Sequence, residues 1–467
     1  MPPRLGLALA LELIGRPPSA STATVTWTHS ASIAPPPSAI EFAEVSALGD
    51  DTLALAAGQG PESVAVFTYD RRAEGWSAPT RIDFPGLAEP VALALDDGIL
   101  TLVGESDGSV GIATAARDGG SWASPVVVAT IDRDLAFSSR LASLREDRLA
   151  LLFPGIAGPN TSCIDAWPRA LLYRREGALW LADGEVRLGD LVGGSAEILG
   201  CQHAAPTVTV VAIGGDRLAI ALITPSDASP PRHGRVLLYR RRGVASWHFE
   251  ALLEADDRTL EEPHHVALIS DETLLLGAPA AFGGRGAVDI YADRGAGWRL
   301  EQRFEGIGSG VPELGGGRFG EALALDGDLL LVGAPVEDLT LPEFSGGIVH
   351  VLAFAGEWRE EATLTLPAPN NGFGARIALR GNEALIVPRW LDEPSEVNAH
   401  LFLRSGELPT GRCVDTSECT DRPCVDGLCA LPEDADEGCG CRTGSPPFLA
   451  ALLPLLAIGR RRGRPVA

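Results

Sequence analysis

The residues with the most evident chemistry in this 467-residue chain are its eight cysteines, and they are unevenly placed. Cys163 and Cys201 stand alone in the long body. Cys413, Cys419, Cys424, Cys429, Cys439 and Cys441 crowd into 29 residues near the C-terminal end. Thiols packed into a short, core-poor segment form either a disulfide staple or a metal knuckle. Zinc ligands usually come as tight pairs two to four residues apart. The first four cysteines here are separated by five, four and four residues, and the segment holds no histidine. Disulfides among Cys413, Cys419, Cys424 and Cys429 are therefore favoured over zinc, and an oxidising compartment follows. A Cys163–Cys201 bridge is expected in the body, with two buried free thiols as the alternative.

Other reactive residue types carry weaker signals. His264 and His265 are neighbours, and strand neighbours point to opposite faces, so both cannot line one site. Gly306-Ile307-Gly308-Ser309-Gly310 has glycines around a serine but not the spacing of a hydrolase nucleophile elbow. Glu433, Asp434, Asp436 and Glu437 read as a solvated spacer, and Arg240-Arg241-Arg242 as a charged hairpin tip. Glu44, Glu321, Arg140 and Arg376 fall on or near innermost strands, yet the arginines are offset by one residue from the glutamates. No convergent set of acids, bases and nucleophile emerges, so no catalytic residue is assigned.

The whole chain bounds these chemistries. Acidic residues number 62 against 38 basic ones, giving a net charge of -24. That charge excludes a nucleic-acid binder, which needs a basic footprint to displace counterions. It favours solubility and disfavours anionic partners. Residues 1–23 combine Arg4, an apolar run from Leu5 to Gly15 interrupted by Glu12, and small residues Ser21-Thr22-Ala23. This is the pattern of a secretory signal peptide. From Pro446 to Gly459 the chain is apolar for 14 residues and then meets Arg460, Arg461, Arg462 and Arg464. A membrane span needs about 20 residues, so a transient sorting signal fits this tail better, and any membrane contact would run through it alone.

Between the ends, residues 24–411 are punctuated by Gly, Pro and Asp, with short apolar runs such as Leu274-Leu275-Leu276 and Leu329-Leu330-Leu331-Val332. That is the punctuation of strands. A repeat can be counted. An acidic or Asn turn precedes an apolar strand at Asp51, Asp97, Asp147, Asp216, Asp271, Asp328 and Asn382. A second strand follows each, and then a tryptophan: Trp76, Trp122, Trp180, Trp247, Trp298 and Trp358. The seventh unit lacks its tryptophan after Leu401-Phe402-Leu403, and the N-terminal Trp27 supplies it. Trp27 precedes Phe42 by 15 residues, as Trp358 precedes Phe373 and Trp122 precedes Phe137. Seven such units predict an all-β fold, a seven-bladed β-propeller whose last blade is completed by the strand around Val25-Thr26-Trp27. Pairing the two ends of the body removes exposed strand edges. The widest unit, between Asp147 and Asp216, contains Cys163 and Cys201 and predicts an insertion there.

Two resemblances add to this reading. Phe319-Gly320, Phe373-Gly374, Gly277-Ala278-Pro279 and Gly333-Ala334-Pro335 resemble the FG-GAP repeats of integrin-α-type propellers, well over residues 262–404 and faintly before. That family often carries calcium loops, but turns such as Asp326-Gly327-Asp328 and Ser270-Asp271-Glu272 are too short to supply calcium's oxygens. No cofactor is expected from the residues; calcium is what the resemblance allows, and the loop lengths do not support it. Cys439-Gly440-Cys441-Arg442-Thr443-Gly444, the apolar run and the arginines resemble the myxobacterial C-terminal sorting segment (MYXO-CTERM), with Cys413 to Cys429 resembling the Cys-rich stretch ahead of it. This implies export, processing by a sorting protease near Cys439 and Cys441, and display or release at the outer surface.

The expected organisation is a signal peptide (1–23), the propeller (24–411), a Cys-rich segment (412–430), an acidic linker (431–438) and a sorting tail (439–467). Two functions fit it. A non-catalytic recognition or adhesion module would bind an extracellular protein or glycan through propeller loops. A secreted propeller enzyme, a hydrolase or lyase acting on polysaccharide or peptide, would need convergent acids in the channel. The first is favoured, because loops on a stable ring suffice for it.

Overall fold

The computed structural model describes residues 25–36, 41–59, 63–73, 75–106, 109–132, 142–145, 147–153, 168–188, 207–224, 233–254, 266–270, 272–306, 317–336, 346–366, 372–388, 398–405, 424–425 and 428–429. Within the first compact unit, Met1–Thr410, the strands pair into seven antiparallel sheets. In chain order these are blade 1 (41–85), blade 2 (89–132), blade 3 (142–187), blade 4 (207–254), blade 5 (266–305), blade 6 (322–364) and blade 7 (376–405). Blade 7 takes its fourth strand, Thr26–Ile33, from the N-terminal end of the body, with Trp27 opposite Arg404. The innermost strands touch their neighbours in a closed circle, blade 1 meeting both blade 2 and blade 7. The seven-bladed propeller and its closing strand thus stand as the repeat predicted.

Burial explains why each strand has its composition. Second strands are sandwiched between neighbouring blades and need apolar side chains on both faces. Thr52–Gly58, Leu329–Ala334 and Glu383–Val387 are accordingly buried at every residue. Outer strands show one face to water, so Thr80–Pro85 alternates exposed and buried. The apolar clusters lie between blades: Leu53, Leu55 and Tyr69 of blade 1 pack on Leu385, Val387 and Leu401 of blade 7. Blades 5 and 6 share a cluster containing Leu275, Ile290, Leu330 and Trp358. The core is therefore a ring of interfaces, and the ring must close for its two ends to be covered.

The Phe-Gly and Gly-Ala-Pro signatures meet at these interfaces. Phe319 and Phe373 are buried where the chain enters the inner strands of blades 6 and 7. The glycines after them, Gly320 and Gly374, have φ of +88° and +89°. A Cβ on Gly333 would fall 1.9 Å from the carbonyl oxygen of Gly374 in the next blade, and one on Gly320 would sit 3.3 Å from Gly277 Cα. Each Gly-Ala-Pro glycine is thus pressed against the Phe-Gly glycine of the following blade, and only the absence of a side chain permits that approach.

In the second unit, Gly411–Ala467, the described residues form one two-stranded ribbon, Cys424–Val425 against Leu428–Cys429, with Cys424 directly opposite Cys429 in backbone register. Among the described residues no helix is long and apolar enough to cross a membrane.

Candidate functional site

The turns joining first to second strands and third to fourth strands gather at one face of the ring. The acidic turn residue of the repeat serves this face through its backbone. The carbonyls of Asp51, Asp147, Asp216, Asp328 and Asn382 each accept from the last or next-to-last backbone N–H of their blade's third strand, at 2.8 Å.

The third-strand end residue is the part of the repeat that sequence reading missed. It stands opposite the tryptophan in every blade, as Arg71 with Trp76, Arg117 with Trp122, Arg175 with Trp180, Arg241 with Trp247 and Arg404 with Trp27, and as Asp293 with Trp298 and Phe354 with Trp358 in blades 5 and 6. Each arginine reaches an acid of the preceding blade. Arg117 donates to Asp70 at 2.8 Å, Arg241 to Asp183 at 3.1 Å and Arg404 to Glu361 at 2.8 Å. Arg71 pairs with Glu383 and Arg175 with Asp96. In blade 5 the polarity reverses, with Arg217 of blade 4 donating to Asp293 at 3.0 Å. In blade 6 the pair becomes a cation over a ring, Arg294 lying 5.9 Å from Phe354. A signal was present, since an arginine precedes the tryptophan by five residues in blades 1 to 3. Its partner could not be read, because it lies in another blade.

This corrects one expectation. Arg240-Arg241-Arg242 is not simply a hairpin tip in water: Arg240 and Arg241 belong to the third strand of blade 4, and Arg241 is held by the buried Asp183.

Against this girdle, the turns of blades 1 and 2 and the inner strand of blade 7 enclose a cleft of about 250 Å³. It is lined by Gly49, Asp50, Asp51, Thr52, Leu95, Asp96, Asp97, Gly98, Arg117, Trp122 and Arg380. Arg380 donates to Asp50 at 2.8 Å and its hydrogen bond holds the Asp50 carboxyl below the usual carboxylate range, while the same bond raises Arg380. Thr52 donates to Asp70 at 3.2 Å and accepts from Arg117 at 2.9 Å, so its hydroxyl is occupied. The lining contains no His, Cys or Ser. What it offers is carboxylate acceptors, guanidinium donors and an indole, with the Arg117 guanidinium 5.7 Å over the Trp122 ring. Those groups suit binding of a hydroxyl-rich or cationic surface rather than covalent chemistry.

The residues singled out in the sequence are scattered. Glu321 accepts from Arg318 at 2.8 Å just before the inner strand of blade 6, and Arg376 opens the inner strand of blade 7, opposite Val387. Glu44 lies in an irregularity of the pairing between the first two strands of blade 1. Asp326 accepts from the backbone N–H of Gly381 at 2.6 Å and so ties blade 6 to blade 7. Arg140, His264, His265, Asp271, residues 307–310, Cys163, Cys201, Cys413, Cys419, Cys439, Cys441 and residues 433–437 lie outside the described residues. Among the described residues no group of three or more His, Cys, Asp or Glu side chains converges as a metal centre.

No protein-family model matches the sequence, and no curated protein matches it. Among solved structures, the chain is similar to the β-propeller domain of the Trilobed protease from Pyrococcus furiosus, at 7% identity and a TM-score of 0.43, over 78% of this chain and 97% of that one. It is also similar to the Pyrococcus horikoshii acylaminoacyl peptidase, at 10% identity and a TM-score of 0.42, over 77% of this chain. The chain spans 50% of that peptidase's length.

Proposed function

We propose that the propeller is a non-catalytic recognition module, exported and displayed at the outer cell surface, that binds an extracellular glycan or protein. The observation that carries this reading is the cleft at the turns of blades 1 and 2. Arg380 holds the Asp50 carboxyl below the usual carboxylate range, the Thr52 hydroxyl is already hydrogen-bonded, and Trp122 lies beside further carboxylates and guanidinium donors. A sugar ring pairs an apolar C–H face with a rim of hydroxyls, which that combination matches; a protein loop rich in Ser, Thr or Lys would also fit. Export is supported by the apolar N-terminal run, the clustered cysteines and the resemblance of residues 439–467 to a sorting segment.

The test is binding of the purified chain to a panel of neutral and amino-substituted polysaccharides by affinity electrophoresis. The wild type is compared with W122A and with the double variant D51N/D97N. Retardation that both variants reduce at least tenfold supports the reading; retardation untouched by either, or cleavage of the polysaccharide, overturns it. For the sorting segment, the intact mass of the protein recovered from the envelope decides. A chain ending near Cys439 or Cys441 supports surface display, and one still ending at Ala467 refutes processing.

A further inference from the structure

The closing blade repeats a histidine cluster of its neighbour with two exchanges, serine for threonine and histidine for glutamate. In blade 6, His350 lies on the third strand with Thr363 as its backbone partner, and its Nδ1 is 2.9 Å from Glu360 Oε1. Thr363 donates to that same oxygen at 3.0 Å. Glu360 and Thr363 follow Trp358 by two and five residues. In blade 7, His400 has Ser32 as its backbone partner, and His29 and Ser32 follow Trp27 by two and five residues. His400, His29 and Ser32 therefore stand where His350, Glu360 and Thr363 stand, and the carboxylate has become an imidazole.

That exchange changes the chemistry. A carboxylate accepts the proton of a histidine ring and completes a neutralising pair. Two imidazoles and a hydroxyl instead bring two ring nitrogens and an oxygen together without an anion, and each nitrogen offers a lone pair in the matching tautomer. His29 Nε2 lies 3.3 Å from His400 Nδ1, and Ser32 Oγ lies 3.2 Å from each nitrogen. The three atoms form a nearly equilateral triangle. Two imidazole nitrogens bound at about 2.0–2.1 Å to one tetrahedral zinc ion stand about 3.3–3.4 Å apart, so the spacing is that of two corners of such a site. His29 and Ser32 are exposed, giving a cation access from solvent. His400 is 6% exposed, with Phe373 and Phe402 forming an aromatic wall behind the pair.

We infer that His29, His400 and Ser32 form a binding site for one borderline divalent cation, zinc or another metal of imidazole preference such as nickel or copper. The two nitrogens are the principal ligands, the serine hydroxyl lies within reach as a third donor, and water fills the remainder. Calcium and magnesium are poor occupants, because they want several oxygens. Because His29 and Ser32 lie on the closing strand and His400 on the body of blade 7, the cation would staple the ring where its two chain ends meet.

The experiment uses the full chain, oxidised so that thiols do not compete, titrated with zinc chloride by calorimetry. It is run beside H29A, S32A and, as a control, H248A on the outer strand of blade 4. The wild type and H248A are expected to bind one equivalent more than H29A, with S32A weakened severalfold. Zinc at a hundred times its Kd should raise the unfolding midpoint of the wild type by a few degrees, on the order expected from mass action, and leave H29A unmoved. His29 is exposed, so H29A should fold; its unfolding midpoint without zinc checks this. Equal stoichiometry in wild type and H29A, or equal zinc-induced stabilisation of both, overturns the proposal.

Discussion

Arg404 and Glu361 join blade 7 to blade 6, Arg404 Nε donating at 2.8 Å to the same Glu361 oxygen that accepts the indole N–H of Trp27 at 3.0 Å. One carboxylate thus holds an arginine from near the C-terminal end of the propeller and a tryptophan from near its N-terminal end. Closure of the ring is an electrostatic event as well as a hydrophobic one.

The depth of that pair sets its worth. Arg404 is 2% and Glu361 11% exposed, whereas Arg71 in the equivalent pair with Glu383 is 38% exposed. R404Q leaves a buried carboxylate short of its partner and should cost about 3–5 kcal/mol. R71Q should cost less than R404Q, because Arg71 itself keeps 38% of its side chain in water although Glu383, at 10%, is as buried as Glu361. The double variant R404L/E361L should recover part of the R404Q loss, since it removes both charges together. Urea unfolding of the four proteins measures this, and equal losses in R404Q and R71Q would show that burial does not govern the girdle.

Deleting residues 26–33 removes the fourth strand of blade 7 and bares the edge of Ala399–Ser405. The expected outcome is a chain that aggregates or unfolds at a much lower temperature, because an unpaired edge templates association. Size-exclusion chromatography and thermal unfolding report it. A monomeric truncated chain with an unchanged midpoint would mean that blade 7 stands on three strands.

Gly333 and Gly356 separate two meanings of glycine. A Cβ on Gly333 would meet the Gly374 carbonyl at 1.9 Å, while Gly356, at φ +85°, has open space around it. G356A should cost about 1 kcal/mol from its left-handed backbone alone. G333A must push blade 6 from blade 7 and should cost several times more. Comparable stabilities would place the close approach elsewhere.

Stability should also fall with acid at His400. Its folded pKa of about 4 lies below the unfolded value of 6.5, so between those pH values the unfolded chain binds the proton and the folded chain does not. Stability from this group is intact above pH about 6.5, declines as pH falls toward 4, and is level below that, a loss of a few kcal/mol at most. Urea midpoints of the wild type and H400Q, at pH values between 4 and 7.5, should converge toward the acid end. Parallel curves would mean that His400 titrates normally.

Much of the architecture was legible because strands announce themselves locally. Runs such as Leu329-Leu330-Leu331-Val332 must be buried on both faces, tryptophans recur where outer strands begin, and the missing seventh tryptophan pointed to Trp27. These are properties of spacing, and the sequence by itself determined the blade count and the closing strand. The partners across blades were not legible. Arg117 finds Asp70, 47 residues away, and His29 meets His400 at a separation of 371. Strand alternation says which residues share a face of a sheet, but only the packing of one twisted sheet on the next says what that face meets. The cleft of Asp50, Asp96, Trp122 and Arg380 is likewise assembled from three blades, so the tertiary structure alone decided it.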